Sequence, residues 1–347
     1  MRARTAPALL LATVLLLPGC SGGKEEPAAR SAATTGERGG TTEMEQAYEK
    51  VVTTVLPSVV QIETGSGEGS GVVYDDSGNI VTNAHVVAGA REIRVTPASG
   101  GSPMKATLVG TFNADDLAVV KVAGGRLPKA AFGDSTKLVV GQAVLAMGNP
   151  LGLSGSVTNG IISAMGRTVS TQAGESFPGS TIVQAIQTSA AINPGNSGGA
   201  LATLNGEVVG IPTAAANGPQ GGAAPGIGFA TPSSTVAVIV PQLIRDGKVT
   251  NSGRAALGVT VRTVVDLRTG RPAGAEVVEV ARNGAAAEAG IRPGDVITAV
   301  NDAPTPTEEA LTQALATQKA GARAEVTLVR EGATRNLQVT LGELSAD

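Results

Sequence analysis

Short apolar runs broken by glycine, asparagine and aspartate dominate the chain from residue 58 to about 232. The clearest are Val59-Val60-Gln61-Ile62, Gly71-Val72-Val73-Tyr74, Asn79-Ile80-Val81-Thr82, Ile93-Arg94-Val95 and Glu207-Val208-Val209-Gly210-Ile211. Many short strands with turn residues between them predict a sandwich or barrel. Residues 44–56 carry a helical pattern that Pro57 stops. A second helix is predicted over 235–245, followed by a polar linker at 246–253. A second unit starts beyond it. Leu257-Gly258-Val259-Thr260-Val261 and Glu276-Val277-Val278-Glu279-Val280 read as strands, and Gly290-Ile291-Arg292-Pro293-Gly294-Asp295-Val296-Ile297 as a turn entering another. Residues 307–319 predict an amphipathic helix with Ala310, Leu311, Ala314 and Leu315 on one face. Thr307 is its expected N-cap, and Gly321 is expected to close its end. Strands over 324–329 and 336–341 complete a small mixed domain, without internal repeats.

The N-terminus reads as a targeting segment. Arg2 and Arg4 precede an apolar stretch over 6–17 that is too short to span a bilayer. It ends in Leu17-Pro18-Gly19-Cys20, similar to a bacterial lipobox in which Cys20 is lipidated. Pro18 departs from that pattern, and an ordinary signal peptide is the alternative. The expected layout is a signal peptide at 1–20, a flexible tether at 21–43, a first domain at 44–246, a linker at 247–253 and a second domain at 254–345.

Composition narrows the chemistry. A length of 347 residues, with 42% hydrophobic and 16% charged, fits a globular chain of two domains. A net charge of −3, 2% aromatics and no Trp argue against a nucleic-acid surface. One His and one Cys cannot supply a usual zinc ligand set, and no metal or cofactor is expected.

That single histidine, His85, precedes Asp115-Asp116-Leu117-Ala118-Val119-Val120 and then Asn193-Pro194-Gly195-Asn196-Ser197-Gly198-Gly199. Base, acid and nucleophile therefore appear in the order His, Asp, Ser. An α/β-hydrolase elbow needs a His after its Ser, and none follows Ser197. A subtilisin order needs an Asp before the His; Asp75 or Asp76 qualifies formally, but the strand-rich pattern does not suit that fold. The observed order suits a chymotrypsin-like double barrel. There His85 takes the proton of Ser197, Asp116 holds the imidazole, and the N–H groups of Gly195 and Ser197 form an oxyanion hole. The cluster from Gly65 to Gly71 runs into a strand rather than a helix, which argues against a phosphate loop.

These stretches, with Gly69-Ser70-Gly71-Val72-Val73, Thr82-Asn83-Ala84-His85, Gly148-Asn149-Pro150-Leu151-Gly152-Leu153 and Gln187-Thr188-Ser189-Ala190-Ala191-Ile192, resemble the HtrA (Deg) family of exported, ATP-independent serine proteases. The resemblance implies a mainly β fold, a chymotrypsin-like double six-stranded β-barrel followed by a small α+β PDZ domain. It makes Asp116 the triad acid, leaves Asp115 solvated, and places Thr213 against Asp116. It implies a small apolar specificity pocket from Ile192, Ala214, Ala215 and Ala216, with cleavage after Val or Ala. It also implies a homotrimer assembled through the N-terminal segment, where Tyr48 is the one aromatic. Pro212 replaces the family's usual Asn in Gly-Ile-Asn-Thr-Ala.

The second domain resembles a PDZ module. Leu257, Gly258, Val259 and Leu311 are its expected peptide-binding residues, with Ala256 where an aromatic is common. Such a groove takes a peptide C-terminus as an added strand. The expected protein is a lipid-anchored, extracytoplasmic endopeptidase of bacterial protein quality control, with unfolded proteins as substrates. Its PDZ is expected to switch the loops at 166–181, 190–195 and 214–226. The alternative is a non-proteolytic chaperone or PDZ scaffold on the same fold.

Overall fold

The computed structural model describes residues 39–344, apart from 66, 125–126, 150–154, 172–175, 194 and 218–222, and apart from the side chains of 39–42 and 214–225. The signal segment, Cys20 and the tether up to residue 38 lie outside the described residues.

The helix α1 (Gly39–Val55) begins inside the segment read as tether. Its Tyr48, Val51, Val52 and Val55 pack on the apolar core. Packing of that face supplies most of the stability that a helix of this length lacks on its own. Six strands follow: β1 (Val59–Thr64), β2 (Glu68–Val73), β3 (Asn79–Thr82), β4 (Ile93–Pro97), β5 (Met104–Phe112) and β6 (Leu117–Val122). They close into a barrel in the order β1-β2-β3-β6-β5-β4. A second set, β7 (Ala143–Gly148), β8 (Ser156–Thr171), β9 (Ser180–Thr188), β10 (Ala200–Thr203), β11 (Val208–Asn217) and β12 (Ala223–Pro232), closes in the order β10-β11-β12-β9-β8-β7. Closure leaves neither sheet with an unpaired edge.

A short helix, α2 (Ala84–Val87), follows β3, and α3 (Ser233–Asp246) follows β12. Val236, Ile239, Val240 and Leu243 of α3 join Val72, Val81, Leu117 and Val119 of the first barrel and Leu145, Met147 and Ile211 of the second in one buried cluster. The core therefore spans the seam between the barrels.

The rest of the described chain forms the second domain, with α4 (Ala285–Glu288) and α5 (Glu308–Ala316) against a sheet. Its strands are β13 (Ala255–Ala256), β14 (Val259–Val265), β15 (Pro272–Val280), β16 (Val296–Val300), β17 (Ala303–Pro304), β18 (Arg323–Arg330), β19 (Ala333–Thr340) and β20 (Gly342–Glu343). The order β14-β15-β16-β18-β19 puts β14 at an edge, facing α5. Thr307 caps α5 by accepting the Ala310 N–H at 3.1 Å. The helix stops at Ala316, short of the expected residue 319. The Thr317 hydroxyl donates to the Ala314 carbonyl at 2.8 Å, a local bond that competes with another helical turn. Gly321 belongs to the turn before β18 rather than to the helix end.

One buried ion pair staples this domain. The Asp295 carboxylate accepts both Nε (2.6 Å) and Nη2 (2.7 Å) of Arg330, and the Arg292 N–H at 2.8 Å. Burial alone raises the carboxyl, but the Arg330 bonds, the Arg292 N–H and both positive charges hold it below its ordinary value. A lowered folded-state value gives stability that is present above the unfolded carboxylate range and lost as pH falls through the folded value. Asp295→Ala is expected to cost roughly 3 kcal/mol at neutral pH. In calorimetry of the whole chain, the gap between wild-type and variant transitions should narrow as the pH is lowered below about 4.

Candidate active site

The chain's one histidine sits in α2, directly after β3, with its side chain 34% exposed. Asp116 follows a 3₁₀ turn (Asn113–Asp115) that leads into β6. Its left-handed φ of 52° turns the carboxylate inward. There Asp116 is fully buried. Its Oδ2 accepts His85 Nδ1 at 2.7 Å, and its Oδ1 accepts the His85 backbone N–H at 3.0 Å. Because Asp116 accepts at Nδ1, that nitrogen carries a proton and Nε2 is left as the acceptor. Asn83 donates to the Asp116 carbonyl at 2.9 Å, and the Thr213 hydroxyl donates to Oδ2.

Ser197 lies on the loop between β9 and β10. Its Oγ donates to the Thr213 carbonyl at 3.5 Å, a weak bond. Among the described residues it makes no hydrogen bond to His85. Thr213 thus contacts Asp116 and Ser197 at once, through its hydroxyl and its carbonyl. The loop is held by its own backbone: Asn196 N–H to Asn193 O (3.0 Å), Gly199 N–H to Asn196 O (2.9 Å) and Gly198 N–H to Pro212 O (2.9 Å). Gly195 has a φ of 100°, which a side chain would oppose. Among the described residues, none accepts a hydrogen bond from the N–H of Gly195 or Ser197.

Pro212 pairs with Ala230 where the β11–β12 ladder shifts register, a position that tolerates a missing N–H. Ile192 is buried against Gly228, at the side of the expected specificity pocket. Ala214 and Ala215 pair with Phe229 and Gly228, but the side chains of Ala214, Ala215 and Ala216 lie outside the described ones.

Asp115 corrects the sequence-based expectation. It is not solvated but 2% exposed, paired with Arg254 at 2.9 Å. Arg254 Nη1 also donates to the Ala114 carbonyl at 3.0 Å. Burial pushes the Asp115 carboxyl up to about 6, against the opposing charge and hydrogen bond of Arg254. Arg254 also lines a groove of about 550 Å³ together with Leu257, Gly258, Val259, Leu311 and Leu315. The four expected peptide-binding residues therefore share one concavity beside the free edge of β14. Gln313 of α5, the groove's helix, reaches Ser170 Oγ of β8 at 3.5 Å. Phe177, from the β8–β9 connection, meets the His85 ring edge-on with centroids 5.9 Å apart. None of these contacts was legible in sequence, because each joins segments remote along the chain.

Comparison with known proteins agrees with this architecture. A trypsin-like peptidase domain is matched over residues 69–211 and a PDZ domain over 255–341. A probable periplasmic serine endoprotease DegP-like of Pseudomonas putida (strain W619) is 43% identical over 284 residues, covering 80% of this chain and 56% of that protein. Serine protease PepD of Mycobacterium tuberculosis is 41% identical over 315 residues, covering 85% of this chain and 66% of that protein. The chain thus spans about half to two thirds of the length of these curated relatives. Among solved structures, the serine endoprotease from Yersinia pestis matches with a TM-score of 0.58 at 36% identity, over 86% of this chain and 98% of that one. The HtrA-type protease AlgW with a decapeptide matches with a TM-score of 0.58 at 33% identity, over 86% and 98%. A mainly β double barrel followed by a PDZ domain, matched over nearly the full length of such structures, places the chain in the HtrA family of serine proteases.

Proposed function

We propose that the chain is an exported serine endopeptidase that degrades unfolded or misfolded proteins without ATP, through a Ser197–His85–Asp116 acyl-enzyme mechanism. The observation that carries this reading is the fully buried Asp116 carboxylate on Nδ1 of the chain's one histidine, with Thr213 linking that acid to Ser197. As substrate seats, Ser197 Oγ leaves the weak Thr213 bond for His85 Nε2. Catalytic bonds that are long without substrate commonly tighten in this way. Oγ attacks the scissile carbonyl, Nε2 takes its proton, and Asp116 stabilises the imidazolium. The N–H groups of Gly195 and Ser197 receive the oxyanion. His85 then protonates the leaving amine, and water, activated by the same nitrogen, releases the acyl group. Ile192, buried against Gly228, is one wall of the small apolar specificity pocket in this reading.

The PDZ groove receives a hydrophobic peptide C-terminus, whose added strand pairs with β14. Arg254 and Gln313 give that event a physical route to the catalytic loops, since one contacts the residue before Asp116 and the other contacts β8. An extracytoplasmic location follows the periplasmic relatives, with Cys20 as a lipid anchor and trimerisation through the N-terminal segment. Tyr48 of that segment packs partly on its own core.

A second reading, a chaperone or scaffold that binds without cutting, is favoured by one observation: Ser197 Oγ is bonded to Thr213 and not to His85. Casein degradation separates the two. The wild-type chain is expected to cleave, and Ser197→Ala to lose activity by on the order of 10⁶-fold. Cleavage by neither, even with hydrophobic C-terminal peptides added, would put the binding reading first. For regulation, hydrolysis of a small peptide substrate should change when such peptides are added and when residues 254–347 are removed. Arg254→Met, at saturating peptide, should give a smaller change in rate than wild type, whatever its effect on peptide affinity. Rates indifferent to all three manipulations would end the coupling idea.

A further inference from the structure

The geometry points to the Ser70 hydroxyl as a positioning residue for the oxyanion loop, a role distinct from the catalytic triad. Ser70 lies in β2 of the first barrel and is fully buried. Its Oγ stands 2.5 Å from the Gly195 carbonyl oxygen and 2.8 Å from the Asn149 backbone nitrogen. The direction of both bonds follows from chemistry. A backbone N–H only donates and a carbonyl only accepts, so the one hydroxyl proton points at Gly195. Its backbone is engaged as well: Ser70 N–H donates to the Ser197 carbonyl at 2.8 Å, and the Thr82 hydroxyl donates to the Ser70 carbonyl at 2.6 Å.

The location of the Gly195 carbonyl gives this bond its consequence. Along the chain it lies between the two N–H groups offered to an oxyanion, those of Gly195 and Ser197. The Ser197 side is already fixed, because the Asn196 carbonyl accepts the Gly199 N–H at 2.9 Å. The Gly195–Asn196 peptide is pinned at both ends, by Ser70 on its oxygen and by Asn193 O on its N–H. Gly195 itself offers no conformational resistance, since glycine crosses φ space more freely than any other residue. An oxyanion donor placed on glycine needs an anchor from outside its own backbone, and Ser70 provides one from the opposite barrel. The approach is close on the other side too. A Cβ at Gly148, where β7 ends, would fall 2.7 Å from Asn196 Cα and 2.8 Å from the Gly195 oxygen. Asn149 N–H, the second partner of the hydroxyl, is the next residue. The same oxygen therefore ties the end of β7 to the oxyanion loop.

Without the hydroxyl, the Asn149 N–H and the Gly195 carbonyl lose their partner in a site closed to water. The Gly195–Asn196 peptide is then held only through its N–H by Asn193 O, Gly195 turns more freely about its own φ and ψ, and its N–H, in the preceding peptide, leaves the anion position part of the time. Loss of a direct oxyanion donor costs about 10²- to 10³-fold in kcat. Loss of its anchor leaves the donor present part of the time, so Ser70→Ala is expected to lower kcat by about 10- to 100-fold. KM should stay within about threefold, because the anion forms only in the transition state.

This inference rests on the reading of Ser197 as nucleophile, and the test keeps the two apart. Wild type, Ser70→Ala and Ser70→Cys are compared as full chains for peptide hydrolysis and for binding of a peptide aldehyde, whose adduct with Ser197 carries the oxyanion. The expected result for Ser70→Ala is a fall in aldehyde affinity that parallels the fall in kcat, with product-peptide affinity and the midpoint of the pH–rate profile unchanged. Ser70→Cys, which keeps a weak donor, should recover part of both losses, and it carries the comparison if Ser70→Ala fails to fold. An active wild type with a folded, equally active Ser70→Ala overturns the inference alone. So does a loss of rate without a matching loss of aldehyde affinity, or one accompanied by a displaced pH midpoint, which would assign the effect to His85. A wild-type chain inert toward both casein and the aldehyde overturns the reading of the site and this inference with it.

Discussion

A carboxylate with no exposure to water sits at the seam of two barrels, and its need for donors shapes everything near it. Burying a carboxylate there carries a large desolvation cost unless several groups compensate. The first barrel contributes the backbone N–H and Nδ1 of His85, both from the first turn after β3. The second barrel contributes the Thr213 hydroxyl from β11. Asn83 holds the acid's own carbonyl and so fixes the left-handed turn that aims the side chain. The carboxylate is fully satisfied only when both barrels are closed and packed on each other. Folding and assembly of the site are for that reason one event.

The same logic extends outward through backbone groups. The Ser197 loop is rich in glycine, which leaves it with little stiffness of its own. Ser70 from β2 and Pro212 O from β11 hold it from outside, beside two bonds of its own to the Asn193 and Asn196 carbonyls. A site built on such a loop is ordered by its neighbours, and its state depends on theirs. The β8–β9 hairpin is one such neighbour, with Phe177 on the His85 ring and Ser170 under α5 of the PDZ domain.

The Arg254–Asp115 pair joins the two domains by a different balance. Desolvation raises the Asp115 carboxyl to about 6 even with the guanidinium 2.9 Å away. A buried pair of this kind adds little net stability, because pairing barely repays desolvation. It does dictate geometry, since displacing Arg254 leaves a buried carboxyl without its partner. The residue before Asp116 is in this way bound to the first residue of the PDZ body.

Much of this was readable in one dimension. Strand periodicity, turn residues and the His, Asp, Ser order specify two barrels and a chemistry, because alternation and chain order are properties of neighbours in sequence. Thr307 as the N-cap of α5 and the apolar face of Leu311 and Ala314 belong to the same class. Where the chain alone was insufficient, the missing information lay across space. The start of α1 was set by packing of Tyr48, Val51 and Val55, and the end of α5 by a local Thr317 bond. Asp115 reads as a surface acid beside Asp116 until an arginine 139 positions away covers it. Ser70 is one more small residue between glycines until the fold brings it within 2.5 Å of a carbonyl 125 positions away. The sequence by itself determined which residues are the candidates for the chemistry, since that depends on residue type and order. Tertiary structure decided which groups are desolvated, paired and held in place, because burial and hydrogen-bond partners exist only once distant segments have met.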